Sequence, residues 1–317
     1  MPREQSRKDG ESKIRSRKKT AKSSENTKDV SKENPNKAST FKLQLKIFCF
    51  NCVICLAVSI YLYPYYFYLR ERHLAKQTEH IDVRSGDVPC SEKYKAEIQA
   101  FPGCVPVRCG RMVSDKLVTP EEVDHVLEIG KRGLNLGGSD GGASILDLHS
   151  GALSHGKSFV NIYKIDEAKD LFTASDFKIY KQVRSKIQSA IAEHFGIDEK
   201  VLHLTHPTFF SRLTSDPPST PHDEYWHPHV DKETYESFHY TSLLYLNTFG
   251  EDYTGGRFLF IDPDNHTQIV EPKKGRVSMF TSGWENVHLV ERVASGTRYA
   301  LTISFTCDLS HAIKDPS

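Results

Sequence analysis

Seven consecutive residues, Tyr225-Trp-His-Pro-His-Val-Asp231, hold the densest chemistry in this 317-residue chain. His229 and Asp231 are one residue apart, so on an extended segment both side chains leave the same face while Val230 leaves the other. His288 heads an alternating apolar run, and ten residues further Arg298 heads another. Two imidazoles and one carboxylate are the ligand set that holds non-haem Fe(II) and leaves positions open for a co-substrate and O₂. The planar fork of Arg298 matches a carboxylate, which suits a dicarboxylic co-substrate. A lone His-x-Asp is weak in a chain with 15 His. The third ligand and the Arg make it specific. The bland reading, surface or satisfied core residues, gives Arg298 no reason to head an apolar strand.

Such residues need strands to carry them, and the second half of the chain supplies them. Runs 201–213, 237–247, 257–262, 276–282, 287–293 and 298–306 are rich in β-branched and aromatic residues between Gly and Pro turns. Ala294-Ser-Gly-Thr297 reads as the turn that brings Arg298 back beside the third ligand. Two helices precede these strands. Thr119-Pro-Glu-Glu122 offers an N-cap, a Pro at the first helical position and a Glu at the third, followed by Val123, Val126 and Leu127 and a stop at Gly130. Over 175–195, Phe177, Tyr180, Val183, Ile187, Ile191 and Phe195 form one stripe. Helices ahead of short antiparallel strands predict a mainly β fold, a double-stranded β-helix (jelly roll) with helices buttressing one sheet. The glycine-rich run 137–142 lacks the strand and spacing of a phosphate cradle; it is expected to be a mobile loop, with a lid as one use.

The runs 240–247, Tyr253-Thr-Gly-Gly-Arg-Phe-Leu-Phe260, Lys274-Gly-Arg-Val-Ser-Met-Phe280 and the stretch from His288 to Arg298 resemble the catalytic domain of 2-oxoglutarate and Fe(II)-dependent oxygenases, nearest the prolyl and lysyl hydroxylase branch. The resemblance is firm over 208–306 and faint before it. It implies that His229, Asp231 and His288 bind iron, that Arg298 grips the distal carboxylate of 2-oxoglutarate, and that activity depends on ascorbate. The implied reaction couples oxidative decarboxylation of 2-oxoglutarate by O₂ to hydroxylation of an unidentified substrate. A prolyl or lysyl side chain of a secretory protein is favoured, with a lipid or glycan open. One departure matters. In that branch the strand before the His-x-Asp commonly ends in Arg-Tyr, whose hydroxyl assists the same carboxylate; here the place is held by Arg212-Leu213. Tyr240 and Thr241 are the candidates to replace that hydroxyl, each equally suited to plain strand filling. The missing Tyr also supports an alternative, a catalytically silent jelly roll acting as a binding module. Tyr225, Trp226 and His227 flank the ligands, and His227 keeps the spacing of a competing ligand.

The N-terminal part is organised differently. Residues 1–46 hold fourteen Lys/Arg and six Asp/Glu, a surplus of eight, so the formal +1 leaves the rest at −7 (1 − 8). With few large apolar residues, this tail cannot offset its ordering entropy and is expected to be disordered. Residues 47–69 form a chargeless run. As a helix it reaches about 35 Å, against roughly 30 Å of hydrocarbon. Tyr61, Tyr63, Tyr65, Tyr66 and Tyr68 cluster at its far end, where amphipathic rings favour the interface. An apolar region that starts so late and lacks a small-residue cleavage site reads as an uncleaved signal anchor. The cationic tail favours a single-pass type II arrangement, with a stem at 70–113 and a domain at 114–317 in the lumen of the endoplasmic reticulum or Golgi.

The basic cluster Arg15-Ser-Arg-Lys-Lys19 would suit nucleic acid, but a span directly after the tail makes topology the better reading, and no nucleic-acid partner is expected. Cys49, Cys52 and Cys55 serve as small apolar residues of the span, Cys49 being open to acylation. Cys90, Cys104, Cys109 and Cys307 lie beyond it, an even number suited to disulfides in an oxidising compartment, with the pairing open. Asn265-His-Thr267 is an acceptor for glycosylation if lumenal.

Overall fold

The computed structural model describes residues 35–264 and 266–317, apart from the side chains of 35–42, 64–71 and His222. The chain divides into two units, 1–62 and 63–317. Helix α1 (Pro35–Arg70) is continuous, and its stretch Leu43–Tyr63 is long and apolar enough to cross a membrane. That span begins four residues before the expected 47–69, and residues 35–46 are helical where a disordered tail was expected. The reason is local: Pro35 sits at the first helical position and no Gly follows it before the apolar run. Residues 1–34 and Asn265 lie outside the described residues, so the rest of the tail and the sequon do too.

In the second unit, alternation along each strand sorts side chains into two cores. The larger sheet runs in the order Arg84–Val88, Cys109–Ser114, Val277–Thr281, Tyr240–Tyr245, Arg298–Thr306, His203–Leu213, Ala143–Leu146, Ala152–Gly156, Gly138–Ser139. Tyr240, Leu244, Met279, Leu301, Ile303 and Phe305 point to one face, where α2 (Pro120–Leu134) and α3 (Ala174–Phe195) cover them. Leu243, Tyr245, Phe280 and Ala300 point to the other. There they meet Leu74, Phe258, Phe260 and Val270 of a second sheet, ordered Glu71–Ala75, Thr267–Val270, Phe258–Ile261, His288–Val290. This is the expected mainly β jelly roll with buttressing helices. The α3 stripe carries much of the first core: Val183, Ile187 and Ile191 are fully buried, and truncating one of them to Ala costs about 2–5 kcal/mol.

Several expected boundaries move. Thr119 and Glu122 form the expected capping box, yet α2 runs past Gly130 to Leu134. A Cβ at Gly130 would stand 2.6 Å from Phe210 Cδ1, so this glycine permits helix and sheet to approach and does not stop the helix. Residues 70–113 are not a stem, because their strands pair into both sheets. The polar, interrupted sequence hid three short strands held by partners distant in the chain, and two disulfides, Cys90–Cys109 and Cys104–Cys307, clip this region to itself and to the C-terminal end. The run 137–142 is not a free loop. Gly138 and Ser139 pair with His155 and Gly156, and Ser139 Oγ donates to Asp223 Oδ1 at 2.6 Å. Finally, the expected strand 287–293 is split: His288–Val290 stays in the smaller sheet, while Val293–Gly296 pairs with Tyr253–Gly255.

Candidate metal centre

His229, Asp231 and His288 converge, with one ligand atom from each lying within 4.8 Å of the others. His229 Nε2 and His288 Nε2 stand 3.7 and 3.5 Å from Asp231 Oδ1. Backbone pairing sets the two imidazoles side by side: His229 N–H donates to the His288 carbonyl at 2.9 Å, and His288 N–H returns to His229 O at 3.0 Å. Val230 is extended and buried, pointing away as expected, but Asp231 opens a short helix, Asp231–Thr234, and so departs from a fully extended i, i+2 pair.

Each ligand is aimed by a second hydrogen bond. His288 Nδ1 meets the Asn286 carbonyl at 2.9 Å and His229 Nδ1 the His227 carbonyl at 3.0 Å. A carbonyl only accepts, so both rings carry their proton on Nδ1 and turn the Nε2 lone pair toward Asp231. Thr241 Oγ1 donates to Asp231 Oδ2 at 2.7 Å and meets Ser282 Oγ at 2.8 Å, fixing the rotation of the carboxylate. Behind His288, Asn286 Oδ1 accepts from Arg111 Nε at 2.7 Å and its amide donates to Thr281 O at 2.8 Å. Arg111 is buried, with Nη1 on Asp262 Oδ1 at 2.7 Å and its guanidinium 4.3 Å from the Phe260 ring centre. Phe258, Phe260 and Phe280 surround the His288 ring. That burial holds His288 below the usual imidazole range against the pull of the Asp231 carboxylate. Two imidazoles with Nδ1 engaged and Nε2 facing the site, together with a carboxylate, are donors that fit a divalent transition metal. Among the described residues this is the one such cluster.

Arg298 lies further along the same inner surface. It is 1% exposed, its Nε donates to the Gly256 carbonyl at 3.0 Å, and its Nη2 has no partner. Gly256 has φ +67, and a Cβ there would press at 3.1 Å on Arg298 Cδ and on Tyr253 Cε2, so the absence of a side chain at 256 leaves room for both. The Tyr245 ring lies 5.5 Å from it.

Leu213 pairs directly with Arg298 and offers only methyl groups. Of the two candidates for the missing hydroxyl, neither is available. Tyr240 faces the helices, where its hydroxyl donates to Cys104 O at 2.8 Å and its ring packs on Phe195. Thr241 faces the site but serves Asp231. Adjacent strand residues must take opposite faces, so the pair could never act together.

The flanking residues also sort. His227 turns its ring to Glu224 Oε2 at 2.7 Å, away from the ligand cluster. Tyr225 donates to Thr214 O and accepts from Val293 N. Trp226 lies 4.3 Å under the Arg292 guanidinium. Sequence reasoning missed Arg111, Asn286, Tyr245 and Tyr253. Asn286 had a local signal, two residues before His288; Arg111 had none, being 175 residues from Asn286.

Residues 219–306 match the model of the 2OG-Fe(II) oxygenase superfamily. The chain is 54% identical over 246 residues, 77% of its length, to the 2-oxoglutarate and iron-dependent oxygenase domain-containing protein 3 of Homo sapiens, covering 76% of that protein. The protein of the same name from Xenopus tropicalis is also 54% identical, with 77% of each chain covered. Prolyl 3-hydroxylase 2 of Homo sapiens is more distant, 36% identical over 115 residues, 36% of this chain and 15% of that one. On identity and coverage, the chain belongs to the 2-oxoglutarate and Fe(II)-dependent oxygenases, dioxygenases that take Fe(2+) and 2-oxoglutarate.

Proposed function

We propose that this protein is a membrane-anchored dioxygenase that hydroxylates prolyl or lysyl residues of secretory proteins, with His229, Asp231 and His288 as its iron ligands and Arg298 as the partner of the distal carboxylate of 2-oxoglutarate. The convergence of the three ligand atoms carries the reading. When bound, iron and 2-oxoglutarate supply the activation of O₂ and the decarboxylation that yields succinate and CO₂.

The chain's own residues do the positioning. Asn286 and the His227 carbonyl hold the two rings in the ligating tautomer, Thr241 locks the Asp231 carboxylate, and the three Phe rings around His288 keep water from that side. Arg298 presents a buried guanidinium whose Nη2 has no partner in the protein and can donate to a carboxylate oxygen.

A protein substrate is supported by the relative named prolyl 3-hydroxylase 2, and ascorbate dependence by the hydroxylase resemblance. An apolar helix after a cationic tail and disulfides beyond it support a type II protein with its catalytic unit in the lumen of the endoplasmic reticulum or Golgi. Anaerobic Fe(II) titration of the full chain, followed by 2-oxoglutarate decarboxylation, tests the iron and co-substrate roles. Turnover lost in His229→Ala is the expected result; metal-independent turnover equal in both proteins refutes it. Glycosidase sensitivity that disappears in Asn265→Gln tests the lumenal side. The substrate is sought by comparing hydroxylated residues of the secreted proteome with and without an Asp231→Ala variant.

A further inference from the structure

Beside Arg298 lies a second buried polar group that the metal centre does not use. Tyr253 is 3% exposed and its hydroxyl has no hydrogen-bond partner. The ring is firmly held: Tyr253 pairs with Gly296 on the adjacent strand, clusters with Leu213 and Val293 and meets Phe249 edge-on with centres 6.4 Å apart. Burial drives its hydroxyl above the ordinary phenol range, and Arg298 is the neighbour that opposes this most. Three other Tyr hydroxyls near the site are engaged, Tyr225 by Val293 N and Thr214 O, Tyr240 by Cys104 O and Tyr245 by Ser278 Oγ. Tyr253 Cε2 and Arg298 Cδ both stand 3.1 Å from the Cβ position of Gly256, so the two side chains are neighbours. The guanidinium acts on the phenol oxygen, but neither the O–H nor Nη2 has a partner in hydrogen-bonding geometry. Because buried polar groups are nearly always paired, the two mark a place built for an acceptor that comes from outside the chain. Both are donors, and one is permanently charged. The acceptor they fit is an anion with two oxygens.

We propose that the Tyr253 hydroxyl and Arg298 Nη2 together bind one carboxylate, the distal carboxylate of 2-oxoglutarate, making Tyr253 a co-substrate-binding residue. It supplies the donor that Leu213, paired directly with Arg298, lacks. This rests on the carboxylate role proposed above for Arg298. The neutral phenol stays protonated across the physiological range, so it donates to a carboxylate without adding charge. Its rigid two-torsion side chain loses little entropy in doing so.

The test uses the full-length chain in detergent with Mn(II) in place of iron, and calorimetry with two ligands, 2-oxoglutarate and 2-oxobutyrate. The second keeps the 2-oxo acid head and has no distal carboxylate. Tyr253→Phe is expected to weaken 2-oxoglutarate by about tenfold to a hundredfold, and to leave 2-oxobutyrate within about twofold of wild type. Removing an unpaired buried hydroxyl should also leave the ligand-free melting temperature unchanged or raised. Equal 2-oxoglutarate affinity in variant and wild type overturns the proposal; so does an equal loss for both ligands, which makes Tyr253 a packing residue. Failure of wild type itself to bind 2-oxoglutarate, or an Arg298→Ala variant that binds it normally, removes the underlying carboxylate reading as well, and so is distinguished from failure of Tyr253 alone.

Discussion

The two ends of the site are built on opposite principles. At the metal end every ligand has its remaining polar atom occupied: His229 and His288 by backbone carbonyls, Asp231 by Thr241. At the anion end Arg298 and Tyr253 each keep a buried donor with no partner. A metal is held by lone pairs whose direction must be set before it arrives, so saturating the far side of each ligand strengthens the site. A carboxylate is held by donors, and a donor already satisfied by the protein would have to give up one hydrogen bond to make another. On the roles proposed for them, the orphans are therefore a cost that a bound carboxylate would relieve.

That contrast predicts effects that separate cleanly by ligand, and the largest lies at the metal. His288→Ala removes a buried ligand, so divalent-metal affinity and turnover should both fall below detection in Mn(II) calorimetry and the decarboxylation assay; retained metal binding would break the metal half of the comparison. Arg298→Ala should weaken 2-oxoglutarate on the order of a hundredfold while Mn(II) affinity, measured without co-substrate, stays within about threefold of wild type. Loss of both together would mean that the ends are not independent.

A smaller effect, and a sharper one, concerns Arg111. Arg111→Met strips Asn286 and Asp262 of their buried partner, so metal affinity should drop about tenfold to a hundredfold, with Arg111→Lys recovering part of it and 2-oxoglutarate affinity for the metal-loaded protein unchanged. Next comes the adjacent pair on one strand. Thr241→Val should weaken Mn(II) by roughly tenfold, whereas Tyr240→Phe should leave both ligands alone and lower stability by about 1 kcal/mol.

The least effect on ligands falls to a buried pair that belongs to neither end, Asp115 with Arg276, joined by two bonds of 2.7 and 2.9 Å. Burial, the largest single influence, pushes the Asp115 carboxyl up, but the Arg276 hydrogen bond, the Ile81 N–H and the charges of Arg276 and Lys273 together outweigh it and the pKa is lowered. A depressed carboxylate pKa stabilises the fold above its unfolded value of about 3.9 and loses that contribution as pH falls further. Melting temperature should therefore drop more steeply below about pH 4 in wild type than in Asp115→Asn, with ligand affinities at pH 7 equal in both.

Much of the site was legible because its parts were local or periodic. His229 and Asp231 are close in sequence, the run 298–306 alternates, and 240–245 is rich in strand-forming residues. The short strands at 71–75, 84–88 and 109–114 were not, because strands this short draw their stability from partners elsewhere in the chain, as Glu71 does from Thr267 and Val113 from Ser278. For the same reason a folded region read as a stem, and a glycine-rich run bonded to Asp223 read as a mobile loop.

By itself the sequence determined the ligand types, their spacing and the two-residue period that makes a strand two-faced. Which hydroxyl stands beside Arg298 was decided only by the tertiary structure. Tyr240 and Thr241 are candidates in a string of letters, but pleating sends one to the helices and the other to Asp231, while Tyr253 comes beside the Arg298 side chain from a separate two-stranded sheet. A side chain's face follows from its own strand; what waits on that face is set by strands elsewhere in the chain.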